Sequence, residues 1–237
     1  MVWHVNILTL FPEMFPAMLG QSLAGKALER GDWSYSLINP RDFAEDKHKS
    51  VDDTPFGGGA GMVLRADILE KALLSIENPG RKIYLSPRGE VLSQRLAQTL
   101  STHEQSITLL CGRYEGVDQR FLDAHGFEEI SIGDYVLSGG EPAAQILMDA
   151  CIRLLPGVMG NAETAGDESH SNGLLEYPHY TRPAEWVDCF DQRHLVPDVL
   201  RSGNHAKIDQ WRNRRAEDLT QHRRPDMWTK YNEDTKN

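Results

Sequence analysis

Residues 106–157 read SITLLCGRYEGVDQRFLDAHGFEEISIGDYVLSGGEPAAQILMDACIRLLPG. The apolar, β-branched run Ser106–Cys111 predicts a buried strand, Val117–His125 a helix stopped by Gly126, and Phe127–Ile132 a second strand. A longer helix opens at Glu141-Pro142. Its apolar residues Ala143, Ile146, Leu147, Ala150, Cys151 and Leu154 fall at i, i+3, i+4, i+7, i+8 and i+11, and Pro156-Gly157 closes it. Strand, helix, strand, helix in this rhythm predicts parallel strands joined by helical crossovers, an α/β layer fold with a mostly parallel sheet.

Working outward, the same rhythm continues upstream. Val2–Leu10 reads as a buried strand stopped by Phe11-Pro12, where Pro12 opens a helical turn, and Ser34–Ile38 reads as a second short strand. Asp67-Ile-Leu-Glu70 fits a capping box before the apolar positions Ile68, Leu69, Ala72, Leu73 and Ile76. Lys82–Ser86 predicts a strand and Val91–Leu100 an amphipathic helix. Downstream, residues 157–176 are rich in Gly, Asn, Ser and acids and read as a loop or linker; beyond Tyr177 the chain turns helical, basic and aromatic. The predicted division is a larger α/β domain over 1–160, a mobile interdomain linker over 161–176 and a small, mainly helical C-terminal domain over 177–237.

The composition is globular: of 237 residues, 40% are hydrophobic and 25% charged, enough to bury a sizeable core. Uncharged stretches stop at about a dozen residues, short of a membrane span. No secretory leader is visible, and the three cysteines, Cys111, Cys151 and Cys189, are widely spaced with no CxxC. A reducing cytoplasm is the expected compartment. The net charge of −10 is poor for a nucleic-acid binder, but it is uneven: residues 201–237 carry 9 Lys and Arg against 6 Asp and Glu. That tail also holds Trp211, Trp228 and Tyr231 beside Arg212, Arg214 and Arg215. Basic groups interleaved with aromatic ones suit a nucleic-acid backbone, although on composition alone a solvated helical face is the simpler reading.

Several site classes are excluded by missing motifs. There is no GxxxxGK[ST], no GxGxxG after a strand, no HExxH and no GxSxG. What remains is three loops, each following a predicted strand and each combining glycine with a charged residue: Leu85–Gly89, Leu110–Asp118 and Ser131–Pro142. Ligands of open α/β sheets bind at the carboxyl ends of the strands, and glycine lets backbone approach a ligand closely, so three such loops together predict a pocket. Taken singly, Glu115, Asp167 and Glu168 read as solvated loop acids, and Arg153 as an i,i+4 surface partner of Asp149.

The stretches NILTLFPEMF (6–15), NPRDF (39–43), VDDTPFGGGAGM (51–62), YLSPRG (84–89), LLCGRYEGVDQR (109–120), SIGDYVLSGGE (131–141), RLLPGV (153–158), GLLEYPHYTRP (173–183) and LRSGNHAKIDQWR (200–212) stand in one order and cover nearly the whole chain. Together they resemble the bacterial tRNA (guanine-N1)-methyltransferases, the TrmD family. The resemblance implies a SPOUT-class α/β methyltransferase whose chain is threaded as a trefoil knot. It also implies a homodimer with active sites at the subunit interface, S-adenosylmethionine as cofactor, and a C-terminal domain that holds the anticodon arm of tRNA. The acceptor it implies is the guanine immediately 3′ of the anticodon.

By the same resemblance, the cofactor site falls on Pro87, Gly112, Ile132, Gly133, Asp134, Tyr135, Val136, Leu137, Gly139 and Gly140. Glu115 and Arg153 match positions near the reacting groups. Arg41, Asp52 and the glycine run around Gly58 match segments near cofactor or tRNA, and Arg212, Arg214 and Arg215 are the RNA-binding candidates. The family's general base is an Asp in a D-S-F pattern five residues before the Gly of GLL; here that register holds Glu168, within D-E-S-H, with Asp167 as the alternative. Mg²⁺ enters by resemblance alone, with no metal motif in the sequence. A non-catalytic RNA-binding protein and a knotted methyltransferase acting on another RNA are the competing readings.

Overall fold

The computed structural model describes residues 2–102, 106–159 and 173–234. The chain divides into two compact units, Met1–Gly160 and Asn161–Asn237. The first is built on a five-stranded sheet of β1 (Trp3–Leu8), β2 (Trp33–Ile38), β5 (Arg81–Val91), β6 (Ser106–Cys111) and β7 (Glu128–Ser131), in the order β2-β1-β6-β5-β7. Every pairing in it is parallel. Between β2 and β5 lie a two-residue antiparallel pair, β3 (Asp52–Asp53) and β4 (Val63–Leu64), and helix α2 (Ala66–Leu74). The other helices of this unit are α1 (Ser22–Arg30), α3 (Gln94–Thr102), α4 (Gln119–His125) and α5 (Glu141–Ile152).

Burial on both sheet faces explains the composition of the strands. Val5, Ile7, Ile83, Ile107 and Leu109 share a core with Leu147, Met148 and Cys151 of α5. On the opposite face Leu8, Tyr84 and Leu110 pack with Ile68 and Leu69 of α2 and Phe121 of α4. Alternate side chains of a strand point to opposite faces, so neighbours such as Leu109 and Leu110 serve different cores. Towards β2 the second face turns polar. There Asn6 Nδ2 donates to the carbonyl of Asn78 at 3.1 Å and Ser106 Oγ donates to the same carbonyl at 2.9 Å, satisfying groups that would otherwise be costly to bury.

Several sequence expectations shift. Val91–Leu100 is not one helix: β5 runs on to Val91, and α3 begins at Gln94. The strand continues because it bulges. Its pairing with β7 jumps between Leu85 and Glu90, which throws Ser86–Gly89 outward with Pro87 in the bulge, where its missing N–H costs no ladder bond. A side chain at Gly89 would lie 2.2 Å from the backbone of Glu129, so only glycine permits this approach.

The capping box at Asp67 does not form. Arg65 is the N-cap, and Asp67 accepts two hydrogen bonds from it at 3.1 and 2.7 Å, because a bidentate guanidinium partner outcompetes a backbone amide. On α5 the buried stripe is Ala143, Ala144, Leu147, Met148, Cys151 and Ile152, rotated from the predicted one, and Ile146 is exposed. Helix α5 ends at Ile152, ahead of Pro156-Gly157. Pro12 opens a single 3-10 turn, and helix α1 and the β3–β4 pair go unread in the sequence.

The second unit has a two-stranded antiparallel hairpin, β8 (Glu185–Val187) with β9 (Arg193–Leu195), and helices α6 (Asp198–Arg201), α7 (His205–Arg223) and α8 (Pro225–Asp234). Asn204 caps α7 by accepting from the Lys207 amide at 3.1 Å, and Thr220 Oγ1 accepts from the Leu175 amide at 2.8 Å.

Candidate active site

The strand order places a switch at β5. Strand β6 lies on one side of it and β7 on the other, so the loops leaving their carboxyl ends part and leave a crevice above β5. A cavity of about 240 Å³ occupies that crevice. Its wall comes from Tyr84–Pro87, Gly112–Gly116, Ile130–Gly133 and Tyr135–Gly140, with Ala143 of α5 behind. These are the three loops singled out in the sequence, brought together by the sheet.

Glycine geometry builds the wall. Gly140 donates its amide to the Gly112 carbonyl at 2.9 Å, which joins the second loop to the third. A Cβ at Gly140 would fall 2.7 Å from Cys111 Cα, so this approach of two backbones requires glycine. At the start of the third loop Gly133 has φ 146°, and Ser131 Oγ accepts from its amide at 3.2 Å while donating to its carbonyl at 3.0 Å. Tyr135 OH donates to the Ile132 carbonyl at 3.2 Å, closing the turn.

Under the third loop lies a buried ion pair. Arg113 Nη2 stands 2.8 Å from Glu141 Oε2, and Thr9 Oγ1 donates to Glu141 Oε1 at 2.7 Å. The Arg113 guanidinium also covers the Phe11 ring, 4.3 Å from its centroid, and its Nη1 donates to the Ser138 carbonyl at 3.2 Å. Beside it, burial foremost and then the Glu141 charge push the Cys111 thiol well above its ordinary value, so Cys111 stays protonated and inert. Burial likewise raises the Tyr84 hydroxyl.

Of the cofactor candidates, Pro87, Gly112, Ile132, Gly133, Tyr135, Val136, Leu137, Gly139 and Gly140 line the cavity; Asp134 does not. Glu115 lines it too, and its amide donates to the Met62 carbonyl at 2.9 Å. That bond ties the second loop to the glycine-rich β3–β4 connection. A Cβ on Gly61 would lie 2.4 Å from the Glu115 side chain. Arg153 follows α5 as its C-cap and is not in the wall, and Arg41 sits on the separate turn Pro40–Phe43. Glu168 and Asp167 lie outside the described residues. Among the described residues no group of three or more His, Cys, Asp or Glu side chains gathers to hold a metal, and no helix is long and apolar enough to cross a membrane.

The three arginines of α7 differ from one another. Arg212 covers the Tyr177 ring at 4.9 Å and lies 3.7 Å from Asp209. Arg215 lies 3.2 Å from Asp218 and 5.8 Å from the Trp211 ring centroid. Arg214 is exposed and, among the described residues, has no ion-pair partner. Sequence reading missed Arg113, Glu141 and Thr9. Their only signal was a charge between Gly-Gly and Pro at a helix start, which ordinarily marks a solvated acid near the helix dipole.

The sequence profile of the family described as tRNA (Guanine-1)-methyltransferase TrmD matches residues 3–230. A Rhodospirillum rubrum protein named tRNA (guanine-N(1)-)-methyltransferase is 59% identical over 226 residues, covering 95% of this chain and 92% of the relative. Proteins of the same name from Brucella ovis and Brucella melitensis biotype 1 are each 53% identical over 229 residues, covering 97% of this chain and 92% of the relative. With a match of this extent falling on a parallel α/β sheet and on all three pocket loops, the chain belongs to the TrmD family of tRNA (guanine-1)-methyltransferases.

Proposed function

We propose that this protein transfers a methyl group from S-adenosylmethionine to N1 of the guanine immediately 3′ of the anticodon in tRNA, as a cytoplasmic enzyme. The observation that carries the reading is the convergence of the three strand-end loops on one cavity, in a chain matched by the family over residues 3–230. The cavity wall suits the cofactor. Leu85, Ile132, Val136 and Leu137 offer apolar surface for a purine ring, and the glycine-rich backbone offers N–H and C=O groups to its edge and to the amino-acid tail. Pro87, Gly112, Ile132, Gly133, Tyr135, Val136, Leu137, Gly139 and Gly140 would hold it. When bound, it supplies an electrophilic methyl on a sulfonium centre.

The remaining difficulty is guanine, whose N1 carries a proton and is a poor nucleophile while neutral. In this reading Glu168, or Asp167 if the register slips by one, takes that proton. Arg153 stabilises the negative charge that grows on the neighbouring exocyclic oxygen, and Glu115 orients Arg153. No residue set is assigned to Mg²⁺. The loop that completes the cavity leaves Tyr135 and Val136 exposed, Val136 at 84%, which supports a second copy of the chain covering each site in a homodimer. The reading includes the trefoil thread of the family fold. The second unit, with Arg214 at its surface, takes the anticodon arm, whose unpaired loop lets the guanine turn outward at little cost.

The test is transfer of labelled methyl to an unmodified tRNA transcript, with a control in which adenine replaces the acceptor guanine. Transfer to the first and none to the second is expected; equal labelling of both contradicts the assigned acceptor. For the base, Glu168→Ala is expected to slow the single-turnover rate by about 10²–10⁴-fold while Asp167→Ala leaves it near wild type. The reverse pattern moves the role to Asp167.

A further inference from the structure

Glu141 is the one acidic side chain that is fully buried among the described residues. A carboxylate in the first turn of a helix is well served by water and the helix dipole, so its position on α5 does not require burial. Burying it is costly unless it is paired and hydrogen-bonded, and Arg113 and Thr9 supply both partners. Four segments meet at the Arg113 guanidinium: Thr9–Phe11 after β1, the loop after β6 that carries Arg113 itself, Ser138 in the loop after β7, and Glu141 opening α5. Gly139 permits the crowding, since a Cβ there would lie 2.4 Å from Arg113 Nε. Arg113 and Ser138 line the cavity, whereas Thr9 and Glu141 stand behind the wall.

We propose that Glu141 and Thr9 are positioning residues that act through Arg113 to fix the gap between the loop after β6 and the loop after β7, and thereby set the affinity for the cofactor. Arg113 suits this role because its planar, permanently charged fork can grip a carboxylate, a carbonyl and an aromatic face at once, which a lysine cannot. The inference rests on the reading that this cavity holds S-adenosylmethionine.

The experiment is calorimetric titration of S-adenosylmethionine into the full chain, wild type against Glu141→Gln, Thr9→Val and the double variant Arg113→Met/Glu141→Leu. Melting temperature and tRNA affinity are measured alongside. Glu141→Gln removes one charge of the buried ion pair and is expected to weaken cofactor binding about tenfold or more, and to raise the cofactor KM more than it lowers kcat. Thr9→Val, a small change that keeps the protein folded should Glu141→Gln fail, is expected to weaken binding about threefold to tenfold. tRNA affinity is expected to stay within twofold throughout. The double variant replaces a buried pair by apolar groups, so it is expected to recover the melting temperature without recovering cofactor affinity.

The inference is overturned if both single variants bind the cofactor within twofold of wild type, or if the double variant recovers affinity together with melting temperature. A wild-type protein that does not bind the cofactor overturns the underlying reading, so the wild-type titration and the variant ratio separate the two failures.

Discussion

In the first unit Glu141 and Arg113 are enclosed, bonded to Thr9 and Ser138, and roofed by loops whose glycines leave no room for a side chain. In the second unit the charges of α7 lie at the surface, Arg212 and Arg215 each beside an aspartate one turn away and Arg214 unpaired among the described residues. In the function proposed above, the two regions serve different ligands. A cofactor site gains from a rigid frame that pays its ordering cost during folding. A surface that meets a phosphate backbone gains from solvated charges that exchange small counterions for phosphates.

The largest expected effects lie in the frame. Leu109, fully buried between β6 and α5, should cost about 2–5 kcal/mol of stability when cut to alanine, whereas Lys207→Ala or Arg214→Ala on α7 should stay within about 0.5 kcal/mol. Denaturant unfolding of the three variants checks this, and equal losses would erase the contrast. Next comes Gly140→Ala, which drives a Cβ against the Cys111 backbone. An overpacking strain of about 1–3 kcal/mol should weaken S-adenosylmethionine binding by about tenfold to a hundredfold, with tRNA affinity retained. Loss of tRNA affinity in the same variant would mean that the two regions are not separable.

Smaller effects are expected on the exposed helix. The acidic body of the protein limits long-range attraction, so the salt dependence of tRNA binding should be modest, and removing Arg214 should lower its slope by about one unit. An unchanged slope would take Arg214 out of the interface. The thiols give the gentlest test. Cys189 is exposed and should react with a thiol reagent in the native protein, while Cys111 and Cys151 should react only after unfolding.

Burial raises the Cys151 thiol from 9.0 to about 12, so in that window the unfolded chain loses its proton while the folded one keeps it. Stability should therefore fall as pH rises from 9 towards 12, and Cys151→Ala should flatten that fall. Rapid native labelling of Cys151 would contradict its burial.

The contrast also explains what could be read from the chain alone. The parallel sheet was legible because strands buried on both faces are near-continuous apolar runs, as in Ser106–Cys111. The pocket loops were legible because their glycines mark tight packing: a Cβ would meet the Tyr84 ring at Gly112, the Tyr135 ring at Gly133 and the Cys111 backbone at Gly140. Elements decided by tertiary partners were not legible. Asp67 looks like half of a capping box until Arg65 claims it. Val91 looks helical until β7 extends β5 across a bulge. Glu141 looks like a solvated acid until Arg113 is folded beneath the loop. On α7 the triplet Arg212, Arg214 and Arg215 reads as one basic patch, and only the positions of Tyr177, Asp209 and Asp218 separate its members.

The central claim is that cofactor and RNA are held by different regions, the cofactor by the three strand-end loops and the RNA by the C-terminal unit. Backbone hydrogen exchange, followed with S-adenosylmethionine alone and with unmodified tRNA alone, tests it most directly. The cofactor is predicted to slow exchange at 84–90, 110–116 and 131–141 and to leave 205–223 unchanged, while tRNA slows exchange within 205–223. Cofactor protection that appears on 205–223 and spares the three loops would contradict the account.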